Sequence, residues 1–182
     1  MDRGTDRHGA WLTTTGELAE VAERLDADAY EAFASRFDGL SASSRVFFTG
    51  QGRSGLAARM VAMRFMHMDL PSSFVGEATA PSIAAGDTLV VISGSGKTPV
   101  SVNFAEVARG VGARVLLVTH QQESPLQDLA DAAIVIPATS AQFGGTLFEE
   151  SALVLLDSIV LDQMNRRGTP HELMAARHTN FL

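Results

Sequence analysis

An α/β fold, with a parallel sheet layered between helices, is what this sequence predicts, and three observations carry the prediction. Short apolar runs rich in β-branched residues alternate with stretches of helical periodicity from Arg45 to Pro137. Most of those runs are apolar throughout instead of alternating with polar residues, as in strands buried on both faces. Two of them end in glycine-rich loops, Gly50-Gln51-Gly52-Arg53-Ser54-Gly55 and Ser93-Gly94-Ser95-Gly96-Lys97-Thr98. In open parallel sheets, loops of this kind gather ligands at the carboxyl edge of the strands.

Taken in order, residues 1–15 read as a loose polar leader. From Gly16 onward, Leu18, Val21, Leu25, Ala29 and Phe33 fall near helical spacing and predict one amphipathic helix that covers the core or meets another subunit. Arg45 to Thr49 is the first strand. After the Gly50–Gly55 loop a helix places Leu56, Met60, Met63 and Met66/His67 on related faces, and the methionines read as core or subunit contact. Pro71 to Glu77 is the second strand, and Ala78 to Gly86 a connecting loop. Leu89 to Ile92 is the third, followed by a helix to Gly110 with Pro99 in its first turn. Arg114 to Thr119 is the fourth, Ser124-Pro125 opens a short helix through Leu129, and Ala132 to Pro137 is the fifth. Beyond the loop Gln142–Thr146, a long apolar helix runs from Leu147 to the Gly168 stop, and Thr169-Pro170 opens a last helix toward Arg177. No linker or repeat interrupts the chain. The whole of 1–182 reads as one domain: leader and covering helix to 44, parallel core over 45–138, C-terminal helices from 139.

Composition narrows the function. With 46% hydrophobic and 19% charged residues the chain is an ordinary globular protein, and a net charge of −7 argues against nucleic acid as the partner. There is no cysteine, so disulfides and thiolate chemistry are excluded, which fits the cytosol. No apolar run approaches the roughly 20 residues that span a bilayer. The five histidines show no metal-site spacing. Strand, Ser/Gly loop and helix start over 89–99 make an anion cradle: glycine lets the backbone turn tightly, helix N–H groups point at the ligand, and hydroxyls add donors. Phosphate is the anion expected there, held by Ser54, Ser93, Ser95, Thr98 and the backbone of Gly94, Gly96 and Lys97. A nucleotide P-loop is excluded because Val91 stands where that motif needs glycine. Gly50, Gly52 and Gly55 fit a dinucleotide fingerprint, with Glu77 placed as a ribose ligand would be, but a dinucleotide has no use for the second Ser/Gly loop.

The segments GQGRSGLAARMVAMRFMHM (50–68), FVGEATAP (74–81), ISGSGKTPV (92–100), VLLVTHQQESPLQDLAD (115–131), GTLFEESALVLLD (145–157) and ARHTNFL (176–182) together resemble the sugar isomerase (SIS) domain family. GTLFE and the terminal ARH resemble its 6-phospho-3-hexuloisomerase branch in particular. The resemblance implies a flavodoxin-like three-layer αβα sandwich on a five-stranded parallel sheet, assembled through helices into dimers or tetramers. It implies isomerisation of D-arabino-hex-3-ulose 6-phosphate to D-fructose 6-phosphate through a cis-enediolate, without cofactor or metal, in the cytoplasm. The setting it implies is the ribulose monophosphate route of formaldehyde fixation, with hexulose-phosphate synthase as functional partner. Lys97 departs from the acidic or neutral residue of relatives, and Pro99 replaces a small polar one.

By that resemblance Glu149 is the expected base, with Glu77 the second choice; as a bare sequence feature Glu149 equally complements a helix dipole. His178 matches the family's terminal histidine and is an expected proton carrier or hydroxyl contact, within reach of a neighbouring subunit, against the plainer reading of a frayed tail. His67 is the other family histidine, with packing as its alternative. Gly52 and Arg53 join the phosphate set, Arg53 neutralising substrate charge. His8, His120 and His171 receive no role. Two rival functions stay open: an isomerase of the arabinose 5-phosphate type, and a non-catalytic SIS module that senses a sugar phosphate.

Overall fold

Five strands lie parallel in one sheet in the order β2-β1-β3-β4-β5. They are β1 (Val46–Gly50), β2 (Ser72–Phe74), β3 (Thr88–Ile92), β4 (Arg114–Thr119) and β5 (Ala132–Val135) in the computed structural model, which describes residues 7–181. Every residue of β1 and β3 is buried, which is why these runs are apolar throughout. The pleat divides them between two cores. Val46, Phe48, Val90, Ile92, Leu116 and Val118 face one layer of helices. Phe47, Leu89, Val91, Val115 and Leu117 face the other.

The first layer holds α3 (Arg53–His67) and α6 (Thr146–Arg167), packed side by side, with the N-terminal helices over α6 and β5. The second holds α4 (Pro99–Gly110) and the short α5 (Pro125–Leu129). This is the three-layer αβα sandwich that the sequence predicts. The chain steps from β1 outward to β2 and then crosses to β3 on β1's other side, so the winding reverses between β1 and β3. Gly50 pairs in register with Ile92, and the two glycine-rich loops therefore leave the sheet side by side.

The N-terminal region departs from expectation. Helix α1 already begins at Arg7 and runs to Arg24, where a loose leader through residue 15 was expected; residues 1–6 of that leader lie outside the described residues. The hydroxyls of Thr13, Thr14 and Thr15 fold back on the carbonyls four residues earlier. The single helix expected from Gly16 is broken at Asp26, whose extended backbone and carboxylate accepting from Ala29 N–H at 2.7 Å cap α2 (Ala27–Ala34). A 3-10 turn over Ser35–Phe37 then carries Phe37 inward. Phe33 and Phe37 meet edge-on at 5.8 Å, and Phe65 of α3 lies 5.6 Å beyond. Helical periodicity runs unbroken across Leu25 and Ala29, which hides the break. Strand β2 is also shorter than the expected Pro71–Glu77.

The turn from β1 into α3 is closed backbone against backbone. A Cβ on Gly55 would lie 2.6 Å from the Gly50 carbonyl oxygen, and one on Gly50 would lie 2.8 Å from the Ser54 carbonyl. These glycines serve close strand–helix packing, one of the jobs of glycine in a fingerprint loop. Gly55→Ala is expected to cost about 1–3 kcal/mol by overpacking. Gly16→Ala, in the open face of α1 with nothing within 4 Å, should instead raise stability by about 0.5–1 kcal/mol. Denaturant melts of the two variants check both signs.

Candidate active site

Three helices begin at the crevice between the two loops, and none of them is capped by its own side chains. Gly52 precedes α3 with φ +58°, Thr98 precedes α4 without a capping bond, and Gly145 precedes α6. By contrast, Asp26 caps α2 and Ser124 caps α5. Uncapped N–H groups and the positive ends of three dipoles thus converge on one place, the arrangement that binds an anion in an otherwise acidic protein.

The Ser93–Thr98 loop is pinned from the β4 side. His120 N–H donates to Gly94 O at 3.2 Å, and Leu126 N–H to Gly96 O at 3.0 Å. Thr119 Oγ1 donates to Gly94 O at 3.4 Å. Gly96 has φ +63°, and a Cβ there would fall 2.2 Å from Ser124 Oγ. Glycine alone fits. On the loop itself Ser95 Oγ and Thr98 Oγ1 stand 3.5 Å apart, and Lys97 N–H points to Ser95 Oγ at 3.4 Å. Ser54 is buried in the first turn of α3, and Ser93 Oγ is buried with no partner among the described residues. Thr49 in β1 and Ser101 in the first turn of α4 also bury hydroxyls with no partner among the described residues. The sequence reading passed over both, because a threonine in a strand and a serine early in a helix look like ordinary β-former and helix residue.

Phe148 brings α6 to the crevice. Its ring occupies the space beside Gly94, where a Cβ would sit 3.1 Å from Cδ1. The next residue, Glu149, accepts a hydrogen bond from Arg53 Nε at 2.5 Å, and Glu150 lies 4.0 Å from Arg53 Nη2. The Glu149 side chain is 19% exposed against 58% for Arg53. The expected base, the expected cation and the cradle therefore meet, drawn from α6, α3 and the β3–α4 loop.

The other three catalytic candidates lie elsewhere. Glu77 pairs with Arg59 at 3.2 Å on the β2 side, where the Arg59 guanidinium lies 3.7 Å over the Phe74 ring. His67 ends α3 and His178 follows α7 (His171–Ala176), and their rings stack at 5.5 Å. Arg53 and His67 stand at opposite ends of a 15-residue helix, about 21 Å apart at 1.5 Å per residue. Within one chain, then, the histidines do not share a site with Glu149, which leaves the reach of His178 to a neighbouring subunit and the packing role of His67 as the sequence reading's open alternatives. At the tail, Arg177 reaches Asp69 at 2.8 Å, and His178 N–H donates to Ala175 O at 3.1 Å.

Around the histidines a cavity of about 640 Å3 is lined by Arg64, Asp157 and His171 among others, none of which the sequence singled out. Burial is the main cause that lowers the pKa of His67, with the nearby Arg64 and His178 charges adding to it. Arg64 Nη1 donates to His67 Nδ1 at 3.4 Å, which suits a neutral ring. Burial likewise raises the Asp157 pKa, with Arg64 opposing. Among the described residues no helix is long and apolar enough to cross a membrane.

Comparison with known proteins agrees with this geometry. The SIS domain family profile matches residues 39–159. A 3-hexulose-6-phosphate isomerase of Mycobacterium gastri is 38% identical over 174 residues, covering 91% of this chain and 86% of that protein. One from Bacillus subtilis is 33% identical over 184 residues, covering 93% and 100%. A solved protein from Methanococcus jannaschii, whose structure was taken to infer the function of 3-hexulose-6-phosphate isomerase, superposes with a TM-score of 0.84 at 28% identity, over 96% of this chain and 99% of that one.

The lowered His67 pKa has a sign that can be checked. Below the ordinary value of 6.5 the unfolded chain takes up a proton that the native ring still refuses, so stability falls as pH drops through that window. In His67→Gln the fall in melting temperature between pH 7 and 5.5 should be smaller than in wild type. An equal fall, read by calorimetry, would mean that the buried ring is protonated as freely as an exposed one.

Proposed function

The chain belongs to the sugar isomerase (SIS) domain family, and from that premise we propose that it carries out the reaction of its 3-hexulose-6-phosphate isomerase relatives. It converts D-arabino-hex-3-ulose 6-phosphate to D-fructose 6-phosphate. The observation that carries this reading at the site is the placing of Glu149 beside the phosphate cradle by the Phe148–Gly94 contact.

Moving the ketone from C3 to C2 removes the C2 proton, passes through a cis-enediolate and returns a proton to C3. C2 is oxidised as C3 is reduced, so electrons balance within the substrate and no redox partner is required. The 3-ketose has its O6 phosphorylated and cannot close a five-membered ring through it, so the open chain is already at hand. In our reading the phosphate rests on Ser54, Ser93, Ser95, Thr98 and the backbone from Gly94 to Thr98. Its binding energy holds the remote reacting carbons in place. Glu149 takes the C2 proton, and Arg53 both orients that carboxylate and faces charge that develops on O2 and O3. Glu77, paired with Arg59, recedes as a base.

We further infer that His178 and His67 serve the cradle of a neighbouring copy in a dimer or tetramer. What supports this is their distance from their own cradle, the open cavity around them and the exposed Leu56, Met60, Met63 and Met66 on the same helix, an apolar face suited to a second copy. A neutral His67 beside His178 provides an imidazole able to carry protons near neutrality. In this reading the enzyme works in the cytosol and takes its substrate from a hexulose-phosphate synthase.

The test supplies substrate from ribulose 5-phosphate, formaldehyde and that synthase, and measures fructose 6-phosphate. Turnover is expected in wild type, with kcat about 10²–10⁴-fold lower in Glu149→Gln; normal kcat in the variant would remove Glu149 as base. Folded protein with no turnover would sink the hexulose assignment. Mixing Glu149→Gln with His178→Ala subunits and allowing them to exchange should restore activity, because hybrids regain one intact site. Hybrids that form but stay inactive would return the histidines to their own chain.

A further inference from the structure

The chain has 14 basic residues other than histidine, and Lys97 is the only lysine among them. It sits at the tip of the cradle, between Ser95 and Thr98, two residues before the first residue of α4. A phosphate monoester brings up to two negative charges to a protein that already carries −7. Dipoles and hydroxyls supply donors there but no full charge. On the crevice side, Arg53 is committed to Glu149 at 2.5 Å and Glu150 at 4.0 Å. Lys97 is exposed, and among the described residues it forms no ion pair. It lines a shallow pocket of about 230 Å3 with Ser95, Gln121, Glu123 and Ser124, so the one carboxylate beside it, Glu123, shares its pocket without pairing with it.

We propose that Lys97 is the counter-cation of the substrate's phosphate and the residue that makes this cradle select dianionic phosphate monoesters. The proposal rests on the reading of the Ser93–Thr98 loop as the phosphate site. It divides the two cations at the crevice: Lys97 serves the remote phosphate, and Arg53 stays with Glu149 at the reacting end. Lysine suits the first task because its ammonium is a compact charge on a flexible stem and can follow the phosphate in. Arginine, with a planar fork, suits the paired carboxylates. The pinned loop gives that stem a fixed base, since Gly94 and Gly96 are tied to His120 and Leu126 on either side of Lys97's pocket.

An interaction with a group that does not react contributes equally to the ground state and the transition state, so losing it raises KM and leaves kcat largely in place. Selection for the dianion adds a pH signature. The second ionisation of a phosphate monoester lies near pH 6, so wild-type KM should rise as pH falls through that value, and less steeply without Lys97. The ionisable groups that also face this loop are Glu123 in the pocket and His120, whose ring nitrogen bonds Ile136 O at 3.0 Å. Glu149 and Glu150 lie across the crevice on Arg53. A Glu123→Gln control separates the first of these from Lys97.

The experiment compares full-length wild type, Lys97→Gln and Lys97→Arg. Calorimetric titration with fructose 6-phosphate and with inorganic phosphate should show binding about 10-fold weaker in Lys97→Gln, with most of it recovered in Lys97→Arg. The loss should fall on KM. A second readout exploits the single lysine: cyanate labelling, mapped by mass spectrometry, reports one side-chain amine. Fructose 6-phosphate should shield that amine and free fructose should not. Binding within twofold of wild type in Lys97→Gln, or labelling indifferent to the phosphorylated sugar, overturns the proposal. Wild type that binds fructose 6-phosphate with Lys97 shielded, yet fails to turn over the hexulose phosphate, leaves the proposal standing and fails only the assigned reaction.

Discussion

The parallel pairing of β1 with β3 is the constraint on which the rest depends. It sets Gly50 opposite Ile92, so two strands that are 42 residues apart in sequence end at the same height and release their loops into one crevice. The reversal of winding at that point leaves the space between the loops uncovered by any crossover connection, as in other open α/β sheets. The sheet itself supplies no reactive group there. It supplies position: buried apolar runs on both faces fix the register, and the register fixes where α3 and α4 begin.

The crevice answers a problem set by the protein's own charge. With a surplus of carboxylates, attraction of a phosphorylated sugar cannot come from the overall field, and it comes instead from short-range features. In the reading proposed above, three helix starts without side-chain caps, the loop hydroxyls and the cations Arg53 and Lys97 supply those features. Glu149 and Glu150 are engaged by Arg53, while Glu123 shares the pocket of Lys97 without an ion pair among the described residues.

Much of this was legible in the sequence, and for physical reasons. Buried parallel strands must be apolar on both faces, and backbone that turns sharply against a ligand or a helix must be glycine. So the sheet, the two loops and the start of α4 at Pro99 could be read directly. GTLFE pointed to Glu149 through a family likeness, but no pattern tells that Phe148 seats against Gly94 or that Arg53 holds the carboxylate. Those are contacts across 50 to 100 residues of chain. The histidines show a similar limit: a shared motif list places them in one family but not at one end of a molecule, and the length of α3 separates them from the Glu149 of their own chain. The break at Asp26 was missed because one side-chain hydrogen bond outweighed a periodicity that never faltered. Ser124-Pro125 could be read as a helix start, but nothing in the sequence tells that the Ser124 side chain stands against Gly96 or that the His120 amide holds Gly94.

The open starts of α3, α4 and α6 also bear on how the protein moves. Each of these helices has its first turn short of hydrogen-bond partners, so local opening begins there more easily than in the sheet. In the reading proposed above, a bound substrate spans these starts, with its phosphate at α3 and α4 and its reacting carbons at the Glu149 of α6. Occupancy then raises the free energy of opening in proportion to the logarithm of ligand concentration over its dissociation constant. In that reading the substrate is a structural clamp as well as a reactant, and amide exchange in the first turns of three separate helices should slow together, as one cooperative unit, when the crevice is filled.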